Sequence, residues 1–456
     1  MKLIYNVDDK PKFGQLVVFA IQQLLAIMAA TLVVPVITNS VTGSQMSPAA
    51  ALFGAGVGTL VYVAFTKKKS PVFLGSSFAF LGSMASAFAG GVSMALGYLG
   101  LILGAVMAGL VYVLIAIIVK FVGVNWLNKL MPTVVIGPTV AIIGLSLAGN
   151  AVGDLQKGGV QEAGVSVAHP LLCVLIGLIT LFVTMLCSTY GKKTARLIPF
   201  IIGILSGYAV ALILTVIGNA ADIAGLQLID LGNFTALAAD GVSLKTFFQV
   251  PDFTFLKAVD GFAELNGAYL GTLAVAFVPV AFVVFAEHVA DHKNISSIIE
   301  KDLLEDPGLS RTLLGDGVGS MVGAIFGGCP NTTYGESVGC VAITRNASVA
   351  TIIAAAVGAM IISFVSPFVA FVNSIPACVM GGVCMALYGF IAVSGLKMVQ
   401  TVDLNKNRNL FVVSAILIAG IGGLTLTFGK VTITSIATAL ILGIIANQML
   451  SKEKEE

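Results

Sequence analysis

The sequence predicts an all-α polytopic membrane protein with about fourteen transmembrane segments in two inverted repeats of seven. Three observations indicate this fold class: an apolar composition, long apolar runs with asymmetric flanking charge, and an internal repeat. The 456 residues are 57% hydrophobic and 10% charged, and the mean hydropathy is +1.02. A soluble domain is about 25% charged. The composition therefore excludes a soluble enzyme built around one large core.

The apolar runs define the predicted segments. A helix needs about 20 mostly apolar residues to cross a bilayer. The third, ninth and tenth runs are short and rich in Gly, Ser or Thr, so a strict hydropathy threshold would miss them. The predicted spans are 14–37, 46–65, 71–89, 93–119, 127–150, 167–189, 197–218, 267–290, 312–327, 329–344, 348–372, 376–396, 409–428 and 431–450.

The basic residues predict the orientation of these spans. An even number of spans places both termini on one side, and Lys and Arg concentrate in cytoplasmic loops. With a cytoplasmic N-terminus, twenty of the 24 basic residues lie inside. Outside are Lys157, Lys245, Lys257 and Lys430. We therefore expect a multi-pass protein of the plasma membrane with both termini in the cytoplasm and the lipid bilayer as its surroundings.

Two long loops connect the spans. The loop 219–266 lies outside and is expected to cap the surface. The loop 293–311 lies inside, and its segment 298–304 has the pattern of a short amphipathic interfacial helix.

An internal repeat relates the two halves of the chain. The segment 54–61 (GAGVGTLV) recurs as 315–322 (GDGVGSMV), and Pro71 and Pro330 follow the two copies. A second echo, from Pro132 to Gly137 and from Pro376 to Gly381, occurs in the same order. The copies lie on the second and ninth spans, so they cross the membrane in opposite directions. Inverted repeats of this kind mark secondary transporters, whose sites lie near the midplane on discontinuous helices.

The repeat makes the third and tenth spans equivalent. Each has an extended approach that leads into Gly and small polar residues, in 71–78 (PVFLGSSF) and in 329–339 (CPNTTYGESVG). Irregular polar backbone is tolerated within a bilayer only where protein or a water-filled cavity covers it. Two half-helix N-termini meeting there would present free backbone N–H groups to a ligand rich in carbonyls.

Three acidic residues are the strongest candidates for chemistry. Glu287 and Asp291 are four residues apart on the eighth span, so they share one helix face and can form a proton path. Glu336 follows the polar stretch of the tenth span. Ionisable residues within a span are functional candidates, although a structural hydrogen bond or a helix cap is the alternative for each.

Other polar residues favour structural roles. His288 and His292 face away from Glu287, and we expect His292 at the membrane interface. Their Glu-His-x-x-x-His spacing is not that of a zinc helix. Asp316 is expected in a loop or cap, and Gln22 and Gln23 are expected to join helices by hydrogen bonds. The sequence indicates no metal site and no cofactor, and a net charge of +2 does not suggest a nucleic-acid partner.

At these residues the chain resembles the nucleobase–ascorbate transporter family, and within it the bacterial uracil permeases. The resemblance runs from about Val7 to the last span, and the stretch 330–336 is its most specific part. The matching pieces are 74–80 (LGSSFAF), 286–289 (AEHV), 301–309 (KDLLEDPGL), 330–336 (PNTTYGE) and 380–383 (MGGV).

The resemblance implies a domain organisation. Residues 1–123 and 267–374 would form a core domain, residues 124–218 and 375–450 a gate domain, and 219–266 an extracytoplasmic loop. Short antiparallel strands would occur in segments 3 and 10. The gate domain of relatives also dimerises, so a homodimer is implied.

The resemblance also implies site residues and a function. The family's substrate glutamates map onto Glu287 and Glu336, its backbone contacts map near Phe78 and Gly335, and its gate tyrosine maps onto Tyr388. Tyr334 belongs to the same substrate-binding stretch, and Asp291 joins Glu287 in proton coupling. Some relatives have His where this chain has Asp291, and many have Gln-His in place of Gln22-Gln23. Packing remains the alternative for Tyr388.

The expected function is proton-coupled uracil import by alternating access, with uracil and protons as partners. A proton symporter for a purine, xanthine or urate, is the alternative within the family. A channel is the alternative outside it, since half-helices also build selectivity filters.

Overall fold

The computed structural model describes residues 3–123, 132–162, 165–192, 195–196, 198–239, 241–428 and 431–452. Residues 127–131 of the predicted fifth span and Lys430 lie outside the described residues. Fourteen helical segments coincide with the predicted spans. They are α1 (Phe13–Thr42), α2 (Pro48–Phe65), α3 (Phe78–Ala87), α4 (Met94–Val122), α5 (Thr133–Asp154), α6 (Pro170–Tyr190), α7 (Pro199–Ala221), α8 (Gly267–Ile299), α9 (Leu309–Gly327), α10 (Gly335–Thr344), α11 (Val349–Ile362), α12 (Ala377–Val399), α13 (Asn407–Ile421) and α14 (Ser435–Met449).

The predicted fold class is confirmed. Eight of these helices are long and apolar enough to cross a membrane on their own. The third and tenth, expected to be short, contain only ten residues each. The first of these starts as a 3-10 turn, Phe78–Phe80, and continues as the α-helix Leu81–Ala87.

Six short strands accompany the helices in the described part of the chain, and one pair of them joins the third and tenth segments. They are β1 (Leu74–Ser76), β2 (Gln161–Glu162), β3 (Val165–Ser166), β4 (Asn331–Thr333), β5 (Leu426–Phe428) and β6 (Val431–Ile433). β1 pairs antiparallel with β4, with Gly75 opposite Thr332. This confirms the strands expected in segments 3 and 10. α3 and α10 each begin one intervening residue after these strands, so both discontinuous spans consist of a short strand followed by a helix.

Glycines allow the two copies of the internal repeat to pack directly on each other. A Cβ at Gly58 of α2 would lie 2.7 Å from the carbonyl oxygen of Gly319 of α9, and equally close to Nδ2 of Asn331. Only a residue without a side chain permits this approach. The resulting α2–α9 contact supports β1 and β4 from one side.

The helices pack in two groups. α2 and α9 contact each other, α4 packs against α8 and α9, and α1 packs against α11. In the other group α12 contacts α5 and α6, α6 contacts α7, and α13 contacts α5 and α14. In the 219–266 loop, the short helix Thr254–Ala258 lies against α4 and α9.

Several segment boundaries differ from prediction. α8 continues to Ile299, and Glu300 ends it in the left-handed conformation, so the separate interfacial helix predicted at 298–304 is wrong. Hydropathy falls after Ala290, but His292 finds buried partners and the helix continues through it. The eleventh span divides into α11 and the helix Ser366–Ser374, and β5 and β6 replace the adjoining ends of the last two spans.

Candidate functional site

A cavity of about 410 Å³ lies where α3, α8 and α10 meet α5, α7 and α12. The first residues of the half-helices α3 and α10 contribute to its wall, and so does one face of α8. The lining residues are Phe78, Ala79, Val140, Ile143, Phe200, Val283, Ala286, Glu287, Ala290, Asp291, Thr332, Tyr334, Gly335, Glu336, Leu387, Phe390, Ile391, Ser394 and Met398. Residues more than 300 positions apart in the sequence therefore line the same cavity.

Six of the seven residues singled out from the sequence line this cavity. They are Phe78, Glu287, Asp291, Tyr334, Gly335 and Glu336. The seventh, Tyr388, is not among the described lining residues. It is 3% exposed, and its ring packs edge-on against that of Phe78 with 6.2 Å between centroids. Tyr388 therefore stands behind a wall residue of the cavity.

The three acidic side chains face the cavity from two elements. Glu287 is exposed to the cavity space, and Asp291 and Glu336 are partly exposed. Oδ2 of Asp291 accepts a hydrogen bond of 3.0 Å from the Thr333 hydroxyl of β4. Glu336 lies in the first turn of α10, where an acid complements the helix dipole. The cavity therefore concentrates hydrogen-bond acceptors and titratable groups.

The start of α10 is held by contacts that tie it to two other elements. The hydroxyl of Ser337 accepts a hydrogen bond from Nε2 of Gln23 of α1 at 2.5 Å. It also accepts from the backbone N–H of Phe73, just before β1, at 2.9 Å. The expectation that Gln23 joins helices is confirmed. Its bond fixes the residue next to Glu336, so α1 takes part in positioning that carboxylate.

Tyr334 stabilises the pairing of β1 with β4. Its hydroxyl donates to the carbonyl of Ser76 at 2.7 Å, and its ring occupies the space in which a Gly75 side chain would lie. Gly75 is required for this reason. This contact joins the two halves of the repeat.

A second face of α8, which is not among the described cavity walls, carries a buried polar network. Nδ1 of His288 lies 2.7 Å from Oδ2 of Asp316, and Nε2 lies 3.0 Å from the Thr312 hydroxyl. Nδ1 of His292 donates to the carbonyl of His288 at 2.7 Å, and its Nε2 lies 2.6 Å from the Tyr62 hydroxyl. These bonds attach α8 to α2 and α9.

This network corrects two expectations. His292 is fully buried rather than interfacial, because Tyr62 supplies a polar partner that hydropathy cannot reveal. Asp316 is 1% exposed on α9 and bonded to His288, so it is neither a loop residue nor a cap. The spacing of His288 and His292 by four residues was the available signal, since it places both on one helix face.

Comparisons with known proteins agree with this architecture. A family model described as "Permease family" matches residues 14–428. A uracil permease of Bacillus caldolyticus is 37% identical over 98% of this chain and 95% of its own length. The uracil permease of Bacillus subtilis (strain 168) is 35% identical over 100% of this chain and 97% of its own. The chain belongs to this permease family, the nucleobase–ascorbate transporters.

More distant solved structures share the fold. The transmembrane domain of the cyanobacterial bicarbonate transporter BicA aligns with a TM-score of 0.60 at 13% identity, covering 97% of this chain and all of that one. SLC26A9 aligns with a TM-score of 0.63 at 10% identity, covering 97% of this chain and 66% of that one. At this identity the likeness concerns the fold alone.

Proposed function

We propose that this permease is a proton-coupled uracil symporter that imports uracil across the bacterial plasma membrane by alternating access. The observation that carries the proposal is the placing of Glu287 and Glu336 in one cavity with the starts of both half-helices. The names of the curated relatives, uracil permeases, support uracil as the substrate.

The cavity's polar groups complement the uracil ring. Uracil offers two N–H donors and two carbonyl acceptors. The carboxylates of Glu287 and Glu336 can accept from the N–H groups, and the free N–H groups at the starts of α3 and α10 can donate to the carbonyls. Apolar side chains such as Phe78, Val283 and Phe390 can cover the flat ring. A mostly apolar enclosure with a few placed polar groups is typical of small-molecule sites.

Proton coupling is assigned to the two acids of α8. Asp291 lies one helical turn beyond Glu287, and both line the cavity. In the proposed orientation this turn leads toward the cytoplasm. Glu287 would take up a proton beside the ligand, and Asp291, held by Thr333, would pass it on. This arrangement makes a carrier more consistent with the site than a channel.

Alternating access is proposed to occur between the two groups of packed helices. Residues 1–123 and 267–374 form the proposed core domain, and residues 124–218 and 375–450 form the proposed gate domain, which would also mediate a homodimer. The cavity lies between them. Its wall reaches Phe200 and Met398, at the ends of α7 and α12 that the proposed orientation places near the cytoplasm. On the opposite side β6 lies against α8. These features support an inward-facing state.

Uptake into proteoliposomes tests the proposal. Purified protein should accumulate labelled uracil when the outside is made acidic, and a protonophore should remove the accumulation. Uptake should saturate with uracil concentration. Equilibration without accumulation would refute proton coupling, non-saturating flux would favour a channel, and an absence of uracil uptake would refute the substrate.

A further inference from the structure

Ser394 is a polar residue on the side of the cavity that α5, α7 and α12 form. Every other described lining residue from these three helices has an aliphatic, aromatic or methionine side chain. Ser394 is exposed, so a molecule in the cavity can reach it. Its hydroxyl has no hydrogen-bond partner among the residues that the structure describes, whereas Ser206 of α7 donates to the carbonyl of Ile202 at 2.8 Å. The Ser394 hydroxyl is therefore available to a ligand.

Ser394 interrupts an otherwise apolar row on α12. Leu387, Ile391, Ser394 and Met398 follow one another at intervals of three or four residues, so they share one helix face, and all four line the cavity. An apolar side chain would continue this row equally well. Packing therefore gives no reason for a hydroxyl at this position, and the hydroxyl invites a functional explanation.

The start of α10 lies in the half of the cavity that the proposed orientation places nearer to the cytoplasm. Asp291 marks this half. Its Oδ2 accepts from the Thr333 hydroxyl just before α10, and its Oδ1 lies 3.7 Å from the place that a Cβ would take on Gly335. By the rise of an α-helix, Asp291 lies about 6 Å farther along α8 than Glu287. In the proposed orientation this direction leads toward the cytoplasm.

Ser394 lies in the same half of the cavity. Tyr388 of α12 packs its ring against that of Phe78, at the start of α3. By the same helical rise, Ser394 lies about 9 Å farther along α12 than Tyr388. In the proposed orientation α12 also runs toward the cytoplasm. A ring that Glu336 holds at the start of α10 would therefore face Ser394 across the cavity.

We propose that the Ser394 hydroxyl donates a hydrogen bond to a ring carbonyl of the bound pyrimidine and is a specificity-determining residue of the site. The inference rests on the proposed function. Ionised Glu287, Asp291 and Glu336 only accept hydrogen bonds, so they cannot bind a carbonyl. Ser394 adds a side-chain donor to the backbone N–H groups of the half-helix starts. The contact also links a ligand held by the proposed core domain to the proposed gate domain.

Equilibrium binding of labelled uracil to the purified full-length protein tests this contact. Ser394→Ala should bind about three- to tenfold more weakly, the range for one neutral hydrogen bond. Ser206→Ala removes a hydroxyl that does not line the described cavity, and its affinity should stay within about twofold of wild type. Without ligand, Ser394→Ala should melt no lower than wild type, because alanine favours a helix more than serine does. Unchanged affinity in Ser394→Ala would overturn the inference, as would an equal loss in Ser206→Ala.

Thio-substituted uracils test whether the hydroxyl contacts a carbonyl directly. Sulfur is a weak hydrogen-bond acceptor, so a thiocarbonyl at the contacted position should weaken binding to wild type more than binding to Ser394→Ala. Whether 2-thiouracil or 4-thiouracil has this effect identifies the carbonyl. Such coupling between a ligand change and a protein change reports a direct interaction. If each analogue weakened binding equally in wild type and Ser394→Ala, the inference would be overturned. If wild-type protein bound no uracil, the proposed function itself would fail.

Discussion

Replacing Glu336 by alanine should weaken uracil binding by roughly one to two orders of magnitude. Glu336 lines the cavity from the first turn of α10, and it is assigned to accept a ligand N–H. A hydrogen bond to a charged group contributes about 1.5–3 kcal/mol, and about 1.4 kcal/mol corresponds to a tenfold change in affinity. Glu336→Gln keeps an acceptor oxygen of the same reach, so its loss should be smaller.

The assay is equilibrium binding of labelled uracil in detergent, compared with thermal unfolding of the same preparations. The Glu336→Ala variant also loses an acid at a helix N-terminus, which accounts for about 0.3–1 kcal/mol of stability. The melting temperature measures that part separately. Because Glu336 is assigned mainly to the ligand, the ratio of wild-type to variant affinity should stay constant between mildly acidic and neutral pH. Unchanged affinity in a folded Glu336→Ala protein would refute the assignment.

Further predictions concern coupling, selectivity and packing. Glu287→Gln should abolish accumulation of labelled uracil in proteoliposomes, because it removes a ligand acceptor and a titratable group; continued accumulation would make Glu287 structural. Asp291→Asn should slow proton-driven uptake and flatten its pH dependence while leaving most uracil binding intact, and wild-type rates at every pH would show that it is not a relay. Excess 5-fluorouracil should inhibit labelled uracil uptake well and thymine weakly. Xanthine should inhibit by one to two decades less than 5-fluorouracil, since each buried partner left unpaired costs about 1–3 kcal/mol; equal inhibition by xanthine or urate would indicate a purine carrier. Gly58→Ala should lower the melting temperature, because its Cβ would lie 2.7 Å from the Gly319 carbonyl oxygen, and an unchanged melting curve would contradict the close α2–α9 contact.

The sequence alone was sufficient to predict the features that the bilayer requires of each span separately. Each span must satisfy its own backbone hydrogen bonds and present apolar side chains to lipid, so composition and run length revealed the helices. The repeat showed which spans are equivalent, and the two polar stretches marked the discontinuous ones. Helical periodicity placed Glu287 and Asp291 on one face, which is the face that lines the cavity.

Only the tertiary structure decided which distant groups meet. β1 and β4 are joined by pairing Gly75 with Thr332, and Gln23 reaches Ser337 across 314 positions of sequence. Nε2 of the buried His292 lies 2.6 Å from the Tyr62 hydroxyl of α2, and α8 continues past His292 to Ile299. The identity of a polar residue does not reveal whether its hydrogen-bond partner is water, a ligand or a side chain hundreds of residues away in the sequence. That partner sets the free energy of its burial, and it exists only once the helices have packed.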